Sequence, residues 1–171
     1  MMKIFTILLI SGVFFFFAQC NEAIADKDLE FSVSFDKDEY EKSDPIQTTF
    51  QLKNKSKKPI YVNKRFYLNS EDSPKEDREV YLSVVSPSGG KLPFKTSYKT
   101  GLPRSDYFVL LESGEEAASE RARNIKYSFD FNELGTYKIT AFYQNVYGKE
   151  IGVDAFQDKL VSETILIKIV E

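Results

Sequence analysis

The chain has 171 residues, with 23 Lys+Arg against 26 Asp+Glu for a net charge of −3, no histidine, no tryptophan and a single cysteine. The missing histidine removes the usual general base, the Ser-His-Asp and Cys-His arrangements and nearly all zinc chemistry. Weak acidity with both signs interspersed argues against nucleic acid as a partner, and no Lys/Arg cluster aligns with stacking aromatics.

The first element is an export signal. Lys3 precedes an uncharged, largely apolar run over residues 4–17, which ends at Ala18-Gln19-Cys20. A charged start, a short apolar core and small residues after it make a secretory signal. The run falls short of the roughly 20 residues that a membrane span needs. Two exits compete. In lipoprotein processing the signal is cut before Cys20 and that thiol is diacylated; Ala18 fits the usual pattern, whereas Gln19 departs from the usual Gly, Ala or Ser. In ordinary cleavage the cut follows Ala23-Ile24-Ala25, an A-x-A match that discards the only thiol. The lone cysteine sits directly behind the apolar run, which favours the lipid anchor. The expected organisation is a signal peptide over 1–19, a tether over 20–28 and one domain over 29–171. The expected place is a bacterial cell envelope, with attachment to the membrane through Cys20; secretion after Ala25 is the alternative.

Either cleavage leaves the domain without a disulfide, so it relies on its core, and the aromatic and β-branched residues suffice to build one. Period-two alternation dominates. Leu29, Phe31, Val33 and Phe35 alternate with polar residues, as do Ile46, Thr48, Phe50 and Leu52. Each run reads as a strand with one buried face. Further strands are expected over 59–66, 79–85, 107–111, 135–145 and 162–170, the last with Ile165, Ile167 and Ile169 as its inward row. Turn signals such as Ser43-Asp44-Pro45, Asn54-Lys55-Ser56 and Pro87-Ser88-Gly89-Gly90 punctuate the strands at the spacing of an all-β sandwich. Residues 36–44 read as a solvated acidic turn and residues 69–78 as a charged loop. Residues 115–124 (EEAASERARN) favour helix by propensity but lack an apolar stripe. They read as an exposed edge strand leading into residues 125–129, with a short surface helix as the alternative.

Glu133-Leu134-Gly135-Thr136-Tyr137 is similar to the D-x-G-x-Y signature of immunoglobulin-like domains. The resemblance implies a corner in which the tyrosine hydroxyl bonds upstream backbone and the ring packs between two sheets. Ile139 stands where antibody domains carry their second disulfide cysteine, so an antibody-type bridge is not implied. A wider resemblance runs over residues 40–143, through Asp44-Pro45-Ile46, Asn54-Lys55-Ser56, Pro59-Ile60-Tyr61-Val62, Asp106-Tyr107-Phe108-Val109-Leu110 and Gly135-Thr136-Tyr137. This layout resembles immunoglobulin-like domains of bacterial envelope proteins. It is also similar to the noncatalytic amino-terminal region of deuterolysin-type zinc proteases and, more weakly, to intracellular proteinase inhibitors of bacilli. The implied fold is an antiparallel immunoglobulin-like β-sandwich of about seven to nine strands. Protease activity is not implied, because the chain has no HExxH segment.

Candidate sites are few. The acidic residues of 36–44 lack the spacing and glycine of a calcium loop, so no metal is expected. Asn54-Lys55-Ser56 is a formal glycosylation sequon that reads better as an Asn-based turn. No spacing selects a carboxylate pair for hydrolysis, and no cofactor motif is present. Aromatics in or beside loops suit protein contacts, above all Tyr98, Tyr147 and Phe156. Tyr147 and Phe156 belong to a long connection over 145–161. Residues 99–104 (KTGLPR), with Arg104, form the best candidate for a protease-binding loop. The expectation is therefore a non-enzymatic domain that binds another envelope or extracellular protein, with protease inhibition as a second hypothesis and an unassigned enzyme as a third.

Overall fold

A computed structural model describes residues 28–171. The export signal, Cys20, the Ala25 cleavage site and the tether up to residue 27 lie outside the described residues. The described chain is all-β, built from several sheets and joined by turns and by longer connections that carry short 3₁₀ segments.

Strand β1 (Leu29–Phe35) pairs antiparallel with β3 (Gln47–Asn54), from Leu29 opposite Asn54 to Phe35 opposite Thr48. Both strands follow the alternation of their sequences: Leu29, Phe31, Val33, Phe50 and Leu52 point inward and are buried. The other side of β3 receives β7 (Glu116–Ala118) and β8 (Arg123–Asn124). A second sheet has the order β2 (Glu39–Glu41), β10 (Lys159–Val170), β9 (Gly135–Gln144), β5 (Val80–Val85). Its pairs are antiparallel except β2 with β10, which is parallel. Strands β4 (Ile60–Asn63) and β6 (Phe108–Leu111) form a separate antiparallel pair.

The two larger sheets share one core. Phe31 of β1 stands 5.6 Å from the ring of Tyr143 on β9, and Phe50 and Phe66 complete the aromatic group at 6.0–6.5 Å spacings. Each such side chain contributes about 1.5–3 kcal/mol by leaving water. Tyr137 forms the expected corner: its hydroxyl donates to the Glu133 carbonyl and accepts from the Glu133 amide, each at 2.9 Å. Its ring is fully buried and lies 5.0 Å from Phe131.

Several expectations are corrected. Residues 36–44 are not only a solvated turn, since Tyr40 at the centre of β2 is fully buried. Its hydroxyl donates to Asp36 Oδ1 at 2.7 Å, and the same oxygen accepts from the Gln47 amide. Residues 115–124 do line an edge, but as two short strands. Residues 125–129 are no strand: Ile125–Tyr127 is a 3₁₀ turn capped by the Asn124 side chain, which accepts from the Lys126 amide. The segment expected as a strand over 59–66 stops at Asn63, and Phe66 adopts a left-handed φ of 47°. Residues 69–78 are not a plain charged loop; Asn69, Ser70 and Ser73 are buried there. Strand β10 begins three residues early, at Lys159, and in its inward row Ile165 is only half-buried.

Asn54 uses its whole side chain internally. Its amide donates to the carbonyls of Lys58 and Leu111, and its oxygen accepts from the Ser56 amide and hydroxyl. With Asn54 fully buried, the sequon is a structural turn.

Candidate binding site: a basic cleft beside the edge strands

Strands β6 and β7 are joined by a short turn, in which the Glu115 amide donates to the Glu112 carbonyl. They nevertheless belong to different sheets. The chain leading into β6 and the chain leaving β7 flank a cleft of about 650 Å³. That volume lies in the range of small-ligand or side-chain pockets, roughly 300–1,000 Å³.

One wall is made by a local irregularity. Ala118 faces Gln51 and Arg123 faces Thr48, so five steps along β7–β8 (123 − 118) oppose three along β3 (51 − 48). The surplus bulges outward, as extra residues on an edge do. Ser119 keeps the edge in place, because its amide donates to the Phe50 carbonyl and its hydroxyl accepts from the Phe50 amide. Arg121 and Arg123 are thereby turned toward the cleft.

The floor is a strained turn after β4. Phe66 enters the core, and its left-handed backbone sends Arg65 and Tyr67 the other way, to the cleft. For a bulky residue that conformation costs about 1–3 kcal/mol. A buried carboxylate offsets the cost. Glu79 Oε1 accepts from Arg65 Nε at 2.7 Å and from Asn63 Nδ2 at 2.8 Å, while Oε2 accepts from the Tyr67 amide at 2.9 Å. Arg65 Nη2 lies 2.7 Å from the same carboxylate. Asn63 Oδ1 in turn accepts from the Arg65 amide. Arg65 Nη1 then reaches the Gly101 carbonyl at 3.0 Å and ties the second wall to the floor.

That second wall is the segment expected as a protease-binding loop. It has no regular structure, yet side chains fix it at several points. The Tyr98 carbonyl accepts from Asn69, and the Thr100 amide donates to Asp77 Oδ1 at 2.7 Å. Arg104 stacks over Tyr107 at 5.3 Å and forms a two-point contact with Asp106, which holds its guanidinium pKa above the ordinary value.

Six cations face the cleft: Lys64, Arg65, Lys99, Arg104, Arg121 and Arg123. Glu120 is the acidic residue among its lining groups. Arg65 and Arg104 are matched by Glu79 and Asp106. Among the described residues, Lys64, Lys99, Arg121 and Arg123 have no carboxylate within ion-pair distance. Arg123 is the most exceptional: its Nε is buried and has no hydrogen-bond partner. Burial lowers its pKa, and the nearby Tyr67 and Glu79 oppose that only in part. A buried donor without a partner costs about 1–3 kcal/mol, more when charged, so the position favours an incoming anion.

The residues expected to bind are only partly brought together. Arg104 lines the cleft, and Tyr98, half exposed, stands beside it next to Asn69. Tyr147 joins them from the connection between β9 and β10. Its hydroxyl donates to the Glu76 carbonyl at 2.8 Å, the same oxygen that accepts from Thr100 Oγ1. Phe156 does not belong to this group; it packs against the core, and its amide donates to the Tyr61 carbonyl. The connection that carries both is drawn inward by buried Asn145, whose amide donates to the carbonyls of Tyr147 and Phe156. The sequence reading missed Arg65, Glu79, Arg121 and Arg123. Its only available signal was the basic pairs Lys64-Arg65 and Arg121/Arg123, and about 60 residues of chain separate them.

Among the described residues, no group of three or more acidic, histidine or cysteine side chains is placed to hold a metal ion. In the acidic segment, Asp44 is held by Lys37 at 2.9 Å and by the Glu41 amide. Among the described residues no helix is long and apolar enough to cross a membrane. Compared with known proteins, the chain matches no family model and no curated protein sequence.

Proposed function

We propose that this chain is an exported, lipid-anchored, immunoglobulin-like module of a bacterial cell envelope that binds another envelope or extracellular protein and carries no enzymatic activity. The basic cleft carries the reading. A chain of net charge −3 concentrates six cations in one recess and leaves four without an acidic partner among the described residues. Such a distribution steers and holds a negatively charged surface. Tyr98 and Tyr107 at its margin add contact area at low entropic cost. The strand order supports the immunoglobulin-like part. β1-β3-β7 corresponds to strands A, B and E, and β10-β9-β5 to G, F and C, with the tyrosine corner entering F. The apolar run ending at Cys20 supports export and anchoring.

The test is site-specific photo-crosslinking in the native envelope. A crosslinker at Tyr98 should capture one discrete protein, and the same probe at Val161, exposed on β10, should not. Equal, diffuse labelling from both positions would overturn the reading.

A second reading, protease inhibition, is favoured by a different observation. Leu102 is 65% exposed, directly after backbone positions fixed at Thr100 and Gly101. An exposed side chain on a fixed loop is what a protease cleft accepts.

A further inference from the structure

Resting on the binding-module reading, we infer that the cleft seats an acidic peptide segment in extended conformation, with one carboxylate bound by Arg123 and further carboxylates met by Lys64, Lys99 and Arg121.

The arrangement of charge selects the ligand. A single phosphate is ordinarily held by donors that converge on one point, often main-chain amides at a helix N-terminus or in a nest. Here the donors are side chains spread over both walls and the floor. They match several negative charges set apart along a chain. Arg123, a lining residue without a carboxylate partner, supplies the deep contact, and a guanidinium grips a carboxylate through paired, charge-assisted hydrogen bonds. Lys99 and Arg121 are exposed at the rim, where charge guides approach more than it adds affinity.

The walls select an extended shape. One wall runs through residues 99–104 to Tyr107 before β6, and the other follows residues 119–123 after β7, so the lining is two lengths of chain rather than one point. A peptide running between them meets cations from both sides along its length. Arg65 does not take part directly. Its donors are committed to Glu79 and Gly101, so it holds the floor and the second wall in register. Tyr107, stacked under Arg104, gives the segment an aromatic face on the wall before β6.

The experiment measures fluorescence anisotropy of a labelled peptide alternating Glu and Ser, with the Gln-Ser peptide as control. Inorganic phosphate and a uronic-acid polysaccharide serve as competitors. The Glu peptide should bind, weaken steeply with added salt, and lose about tenfold or more in affinity with Arg123→Gln. Arg121→Gln and Lys99→Gln, at exposed positions that leave the fold intact, should each reduce the salt dependence and the association rate. Binding of the Gln peptide equal to that of the Glu peptide would overturn the inference. So would phosphate competing as well as the peptide, which would assign the cleft to a compact anion. Preferential binding of the polysaccharide would assign it to a glycan. Crosslinking from Tyr98 to a discrete protein, without any binding of the acidic peptide, would refute this inference and leave the module reading standing.

Discussion

At the scale of single residues, two buried polar groups hold the fold, one at the corner before β9 and one beneath the cleft floor. Tyr137 spends its hydroxyl on both backbone groups of Glu133 and its ring on Phe131. Tyr137→Phe should lower stability by about 1 kcal/mol through the lost hydrogen bonding, and Tyr137→Ala by about 3–5 kcal/mol through the cavity. Chemical denaturation checks both, and a neutral alanine variant would rule out the corner. Glu79 is the second group. Its carboxylate is almost wholly buried and answers Arg65, Asn63 and the Tyr67 amide at once. Glu79→Gln leaves the Arg65 guanidinium, itself mostly buried, without its counter-charge. Breaking one partner of such a pair costs about 3–5 kcal/mol. Because Gln keeps one acceptor, the loss should fall at the low end of that range. A loss as small as an exposed ion pair gives, about 0–1 kcal/mol, would mean that the cleft floor is held by the fold and not by this network.

At the scale of elements, the legible parts are those with a clean period. β1, β3, β9 and β10 each carry a mainly apolar row at every second residue, and each row lands in the core except at Phe35 and Ile165, which are half-buried. What was not legible has three physical causes. β2 is a strand because one phenol, Tyr40, docks into the core between acidic neighbours, and no period can be read from a single residue. The chain over 60–66 is apolar enough for a longer strand, but the Glu79 network pulls it into a turn at Phe66 from 13 residues away (79 − 66). The cleft itself is a product of register: a two-residue surplus between β7 and β8 brings Arg121 and Arg123 opposite Lys64, and nothing in either segment announces it. The loop over 99–104 was legible as exposed and basic, but not as fastened. That fastening makes it a discriminating element. Mixed at equal concentration with trypsin, the protein should leave the protease fully active on a small substrate and be cut slowly after Arg104. Stoichiometric inhibition with the loop intact would instead make protease inhibition the leading reading.

At the scale of the whole molecule, the proposed reading joins a basic recess to a lipid anchor, and the two lie in different parts of the chain. Leu29 opens β1 opposite Asn54, so the described chain begins at that end of the first sheet. The cleft lies along the side of the same sheet, beyond β7, where Arg123 faces Thr48 near the opposite end of β3. The proposed lipid at Cys20 precedes β1 in the chain, whereas the recess is built from residues 64–123. Two ester-linked acyl chains and a third, amide-linked one would hold the domain at the membrane effectively permanently, since each buried CH₂ contributes about 0.8 kcal/mol and a single chain alone is marginal. Cys20→Ala should thus move the protein from the membrane to the soluble fraction without changing its melting temperature, because no cysteine lies in the described domain. Mass spectrometry of the native protein should find a mature terminus at Cys20 with the added acyl mass. A terminus at Asp26 would show cleavage after Ala25, remove the anchor, and leave a released domain whose partner must be sought in solution.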